Sequence, residues 1–222
     1  MDPARSRTPA LEDLAARWAG AGAGERYRRA PGALRRAARD GQSVRAWLAT
    51  ELAGSGTQCG WLLDCPAGSG RLFPALSTLP LRYLGFDASE SMLAAHPAGA
   101  RICLARLERL PLADGSVDWV LCNRLLHHMP AGAALEGALA ELWRVARRGL
   151  CFSWFDAHSW PAWRQRLCVR DRDRAGRFYL PQSAIAAACA RAGLPRPEFR
   201  SQSGWFSAQA FALLRRPPQV PR

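Results

Sequence analysis

The residues best placed to do chemistry in this 222-residue chain fall in two short runs. Leu62-Leu63-Asp64-Cys65-Pro66-Ala67-Gly68-Ser69-Gly70-Arg71 carries an apolar stretch into a glycine-rich turn and on toward a helix. Gly85-Phe86-Asp87-Ala88-Ser89 ends a second apolar stretch on an acid, with Asp87 17 residues after Gly70. Such a turn lets backbone N–H groups at a helix start face a ligand. An acid at the end of the next strand accepts hydrogen bonds from both hydroxyls of a ribose. A nucleoside-bearing cofactor uses both features. A dinucleotide fingerprint needs a further small residue three after the second glycine, so that helix and strand pack closely. Phe73 stands there, and its ring argues against a dinucleotide.

The elements that must position these residues are readable as alternation. Strands are expected at 60–64, 82–86, 101–104, 117–122 and 150–155, and helices at 70–78, 89–95, 131–146 and 182–192. Alternation of this kind implies a parallel sheet with helices on both faces. Ahead of it, Leu11, Leu14, Ala15 and Trp18 recur at helical spacing. The Gly20 to Gly24 run breaks that helix. An arginine-rich helical stretch covers 25–39, and a third, Val44 to Leu52, follows a turn at Asp40-Gly41. After Gly193, Glu198–Arg200 and Phe206–Leu214 are candidate antiparallel strands. Trp160 to Arg177 reads as a long polar loop.

The first run resembles motif I of the class I S-adenosylmethionine (SAM)-dependent methyltransferases, D-x-G-x-G-x-G, through Asp64, Gly68 and Gly70. Tyr83 to Leu93 is similar to motif II of the same family. Leu107-Glu108-Arg109-Leu110-Pro111-Leu112-Ala113-Asp114-Gly115-Ser116-Val117-Asp118 resembles its "A-E-x-L-P-F-x-D-x-S-F-D" segment. Leu125 to Met129 and Leu142 to Gly149 follow in the family's order. The resemblance covers about residues 59–156, and similar small bacterial enzymes act on ubiquinone and biotin precursors. It implies a Rossmann-like α/β fold with a seven-stranded, mostly parallel sheet and an antiparallel C-terminal hairpin. It also implies a helical cap over 1–57, a SAM-binding domain over 58–222 and a possible substrate loop at 160–178.

The cofactor contacts implied are Asp64, Pro66, Ala67, Gly68, Gly70, Asp87, Ala88, Met92, Arg106, Leu107 and Asn123. Asp87 takes the ribose, the alternative being a cap for the helix at Ser89. Gly68 and Gly70 permit close backbone approach to the methionine part. Pro66 and Ala67 depart from the family's first glycine, and proline removes a donor. Arg106 stands where many relatives place an adenine-binding Asp, and arginine has no acceptor. Backbone, Leu107 or Glu108 then reads the adenine edge. His127 and His128 follow strand four, and His128 is the candidate base; packing in the core is its alternative. His96 reads as surface and Asp118 as structural.

The net charge of +13 raises a nucleic-acid partner. The chain has no lysine, so arginine reflects a compositional bias. Residues 59–159 hold nine Arg and nine acids, whereas 160–222 hold twelve Arg and three acids. Arg164, Arg166, Arg170, Arg172, Arg174 and Arg177 then offer an anionic acceptor a docking place, or form a solvated loop. Tail aromatics, among them Trp154, Phe155, Trp160, Trp163 and Trp205, either line an acceptor site or fill the core. Seven scattered cysteines with no C-x-x-C pair favour neither a zinc site nor disulfides, and suit a reducing cytoplasm. No apolar run is long enough to span a membrane. The expected activity is methyl transfer from SAM to an oxygen or carbon of a small or medium-sized metabolite. The alternatives are a SAM-binding protein of this fold with little activity and an RNA-binding methyltransferase.

Overall fold

The computed structural model describes residues 20, 22–30, 32–55, 60–97, 101–167, 176–202 and 205–217. Helices α1 (Ala23–Arg29) and α2 (Ala33–Ser55) precede the sheet. There follow β1 (Gly60–Asp64), α3 (Phe73–Leu76), β2 (Leu81–Asp87), α4 (Glu90–Leu93), β3 (Ile102–Leu104) and β4 (Val117–Cys122). A 3-10 turn (Leu126–His128) leads to α5 (Ala133–Val145), β5 (Ala146–Asp156) and α6 (Trp160–Leu167). The chain closes with β6 (Tyr179–Leu180), α7 (Gln182–Arg191), β7 (Glu198–Ser201) and β8 (Gln209–Arg215).

The strand order is β3-β2-β1-β4-β5-β8-β7, with the two-residue β6 against β5. Pairing is parallel except where β8 joins β5 and β7. The sheet therefore has eight strands, the short β6 being added to the seven expected. All six residues of β4 are buried, as the central strand of a sheet covered on both faces requires. Its alternation splits the interior in two. Val120 and Cys122 join Leu135, Leu139, Leu142 and Ile185 of α5 and α7. Trp119 and Leu121 join Val44, Trp47, Leu48 of α2 and Leu76 of α3. Asp118, at the start of β4, accepts the Trp61 N–H at 2.8 Å and is bridged by Arg147 and Arg148, a structural role as expected.

Several local expectations are corrected. α2 runs unbroken through Asp40-Gly41, where a turn is expected. Gly41 serves close packing instead: a Cβ there would lie 2.8 Å from the Ala75 Cβ of α3. The 25–39 stretch is split near Gly32, whose φ is 67°. The glycine run breaks the chain only as far as Gly22 (φ 70°), because Gly24 lies inside α1 and lets it approach the Ser91 carbonyl. The 70–78 helix shrinks to α3, since Gly70 is left-handed (φ 72°) and Pro74 sits in the first turn. The loop expected at 160–177 begins with α6, and Arg170, Arg172 and Arg174 lie outside the described residues, as does the helix expected near Leu11.

Gly149 pairs with Trp119 across β5 and β4. A Cβ on it would overlap both the Trp119 ring and the Leu214 carbonyl. Gly149→Ala is therefore expected to lower stability in urea unfolding by about 1–3 kcal/mol, as overpacking does. An unchanged midpoint and slope would show that Trp119 has room to move.

Candidate functional site

A cavity of about 360 Å³ opens at the carboxyl ends of β1 and β4, where the strand order reverses. Neighbouring loops part at such a point and leave a crevice. The loop after β1 is pinned from both sides: Ala67 N–H donates to the Phe86 carbonyl at 2.8 Å and Cys65 N–H to the Leu121 carbonyl at 2.9 Å.

Asp87, 8% exposed, accepts the Gly68 N–H on Oδ2 and the Ser89 N–H on Oδ1, each at 2.8 Å. Gly68 adopts φ 55°, a conformation open to glycine without cost. Burial pushes the Asp87 pKa above its ordinary value, against the pull of the Ser89, Gly68 and Ala88 amides. Helix α4 is capped by Ser89 itself, whose Oγ accepts the Met92 N–H at 3.3 Å. Each Asp87 oxygen retains acceptor capacity at the cavity wall.

Asp64 ends β1 and is 1% exposed. Its Oδ2 accepts the Tyr83 hydroxyl at 3.0 Å, while the buried Oδ1 has no partner. Burial raises its pKa to about 7, with the Tyr83 hydrogen bond opposing and the Asp87 charge adding. A ligand ammonium would supply the missing partner. Tyr83 also lies 2.9 Å from His96 Nε2. His96 is buried, not on the surface, and burial lowers its pKa to about 4. Its ring packs beside Phe73 and Tyr83, each with centroids 5.6 Å away.

Ala88 and Met92 after β2, and Arg106 and Leu107 after β3, continue the wall beside Asp87. Arg106 is half-exposed and pairs with Glu108 at 3.6 Å. Pro66 and Ala67 also line the cavity, whereas Gly70 does not. A Cβ at Gly70 would overlap His96 and Pro97, so packing requires a glycine there.

The opposite wall follows β4. Asn123 Oδ1 accepts from Ser153 Oγ and from Gln209 Nε2, each at 2.9 Å. Arg124 takes φ 62°, rare for a side chain of its size, and its N–H donates to Ser153 Oγ at 2.8 Å. Its guanidinium donates to Gln209 Oε1 at 2.7 Å and lies 3.7 Å from Asp40. His127 stacks on Phe155 with centroids 4.0 Å apart, and its buried Nδ1 has no partner. Burial, aided by the positive charges around it, lowers its pKa to about 2. His128 Nδ1 lies 2.6 Å from the Gly176 carbonyl. A carbonyl only accepts, so Nδ1 carries a hydrogen, and in the neutral ring the lone pair is on Nε2.

Sequence reasoning missed Tyr27, Arg36 and Asp40, brought to the cavity by α1 and α2, and Arg124. No local motif marks them. Of the tail arginines, Arg177 lines the cavity and Arg164 is exposed on α6. The tail aromatics divide. Trp154 is core, Phe155 backs His127, and Trp160, Trp163, Trp205 and Phe206 form an exposed cluster away from the cavity wall.

Residues 63–152 match the family model described as a methyltransferase domain. The match spans the stretch from β1 to β5, 90 of the 222 residues. Among solved structures, it is similar to magnesium protoporphyrin IX methyltransferase from Synechocystis PCC 6803 with bound SAM. The identity is 19%, covering 92% of this chain and 95% of that one, with a TM-score of 0.65. A SAM-dependent methyltransferase from Archaeoglobus fulgidus is 10% identical, covering 79% and 94%, with a TM-score of 0.60. A possible histamine N-methyltransferase from Thermotoga maritima is 18% identical, covering 70% and 81%, with a TM-score of 0.57. Identities this low carry the fold alone. No curated protein matches the sequence.

Because the folded-state pKa of Asp64 stands near 7 against an ordinary 3.8, the folded chain holds a proton there that the unfolded chain releases. Its contribution to stability falls as pH rises across that window, by at most about 1.4 kcal/mol per pH unit. Asp64→Asn lacks this loss, so its stability relative to wild type is expected to climb between pH 4 and 7. A flat difference in urea unfolding across that range would show that Asp64 titrates normally.

Proposed function

We propose that this protein transfers a methyl group from SAM to an oxygen or carbon of a small or medium-sized metabolite. The observation that carries the reading is one cavity with two buried carboxylates on one wall and a histidine of fixed tautomer on the other. Asp87 has acceptor capacity for the two ribose hydroxyls, and Asp64 Oδ1 lacks the cationic partner that an amino-acid ammonium would supply. The adenine edge falls to the backbone near Leu107, since Arg106 pairs with Glu108.

When bound, SAM supplies a sulfonium methyl already activated for displacement. The chain's own work is to orient the acceptor and keep water out. His128, with its Nε2 lone pair, is the group to take a proton from a hydroxyl or acidic carbon. His127 is too weak a base for that task, because burial holds it neutral. The unpaired cysteines at 65, 103, 122, 151 and 189 support a reducing, cytoplasmic compartment.

A second reading, cofactor binding with little turnover, is favoured by Pro66 and by the commitment of the Gly68 amide to Asp87, which together leave fewer loop donors for a ligand. Two measurements decide. Asp87→Ala should weaken SAM binding by at least about tenfold in calorimetry, since a hydrogen bond to a charged group is worth about 1.5–3 kcal/mol. An unchanged dissociation constant would remove the ribose role. His128→Gln should keep SAM affinity and lower the rate of labelled-methyl transfer in extracts by about 10²–10⁴-fold. No transfer by the wild type would favour the binding protein, and an undiminished variant would leave His128 a packing residue.

A further inference from the structure

The wall after β4 holds an arrangement that cofactor binding leaves unused. His127 lines the cavity with a buried Nδ1 that has no partner. Its ring stacks on Phe155 at 4.0 Å and lies 4.1 Å from the tilted ring of His128, so its neighbours fix its orientation. Arg124 and Arg177 line the same cavity, and both lie close enough to act electrostatically on His127. Arg124 is held by Gln209 and is partly balanced by Asp40. Asp40 is itself engaged by Gln202 at 2.9 Å and Gln209 at 3.2 Å. Arg177 is exposed at the cavity rim and makes no ion pair among the described residues.

Two guanidinium groups thus share one cavity wall with an imidazole whose buried nitrogen has no partner among the described residues. We infer that this wall binds an oxyanion of the methyl acceptor, a carboxylate or phosphate, between Arg177 and Arg124, with Nδ1–H of His127 as a third donor. The acceptor is thus an acidic metabolite whose charged group is a handle, separate from the atom that faces His128. Guanidinium groups suit such oxygens because their N–H groups are fixed in a plane. The unpartnered imidazole nitrogen then finds the hydrogen bond that burial otherwise denies it. This inference rests on the methyltransferase reading for the word acceptor, but the oxyanion site itself does not depend on it.

Calorimetry on the full chain, with and without S-adenosylhomocysteine (SAH), tests both separately. The probes are benzoate, phenyl phosphate and the neutral isostere benzamide. Benzoate or phenyl phosphate should bind at least about tenfold more tightly than benzamide, the difference a lost charged pair makes. Whichever of the two binds more tightly names the oxyanion. Arg177→Gln should lower the preference at least about fivefold, leaving the part that Arg124 supplies, Arg177→Lys should keep more of it, and SAH affinity should stay within about twofold in both, since the cofactor wall lies opposite. Arg177 is exposed, so neither change threatens folding. Equal binding of benzoate and benzamide, no anion binding at all, or an Arg177→Gln protein with an undiminished preference for the anion would overturn the inference while SAH binding left the cofactor reading standing. Failure of SAH to bind would overturn that reading, and the anion titration without SAH would still decide this one.

Discussion

The Asp87 carboxylate ties the loop after β1 to the end of β2, and the cofactor wall is arranged around that tie. A buried carboxylate is costly unless its oxygens are engaged. Here the Gly68 and Ser89 amides engage them, one to each oxygen. The loop cannot leave β2 without stranding the charge. The backbone bonds from Ala67 to Phe86 and from Cys65 to Leu121 hold the same loop to both flanking strands. A short segment pinned at three points is what a glycine-rich turn needs in order to present a fixed face to a ligand. Gly68 supplies the left-handed residue that lets the turn close.

The other wall is organised by polar contacts that reach across the chain. Asn123, Ser153, Gln209, Arg124 and Asp40 form one network linking β4, β5, β8 and α2. It has to be nearly complete, because a buried polar group without a partner costs about 1–3 kcal/mol. The left-handed backbone of Arg124 is held within it through Ser153. Arg124 is thereby placed at the cavity as a fixed feature of the scaffold. The same completeness draws attention to two of the three cavity-lining atoms left out among the described residues, Asp64 Oδ1 and His127 Nδ1, Ser69 Oγ being the third. One is an acid lacking a cation and the other an imidazole nitrogen among cations. A methyl donor carrying an ammonium and an acceptor carrying an acid would answer both.

Much of the cofactor wall is legible in the sequence because its logic is local. Asp64, Gly68 and Asp87 lie on two strand ends and one turn, with spacings that neighbouring parallel strands impose. The alternating strands and helices follow from side-chain periodicity in the same way. Errors arose where one residue type serves two purposes. Gly41 looks like a turn and is a close helix contact with Ala75. His96 looks like a surface residue because nothing in its neighbourhood shows that Tyr83 and Phe73 close over it.

By itself the sequence determined the fold class, the topological position of the glycine-rich loop and the acid that faces it, since these depend on short-range pattern and strand geometry. Tertiary structure alone decided the opposite wall. Asp40 meets Gln209 across 169 positions and Arg124 meets it across 85. Contacts at that distance leave no periodic trace, because each partner is constrained only by the space and charge the folded sheet brings to it. The aromatic tail shows the same limit. Hydrophobicity is common to Trp154 in the core and to Phe206, 77% exposed, and only packing tells them apart.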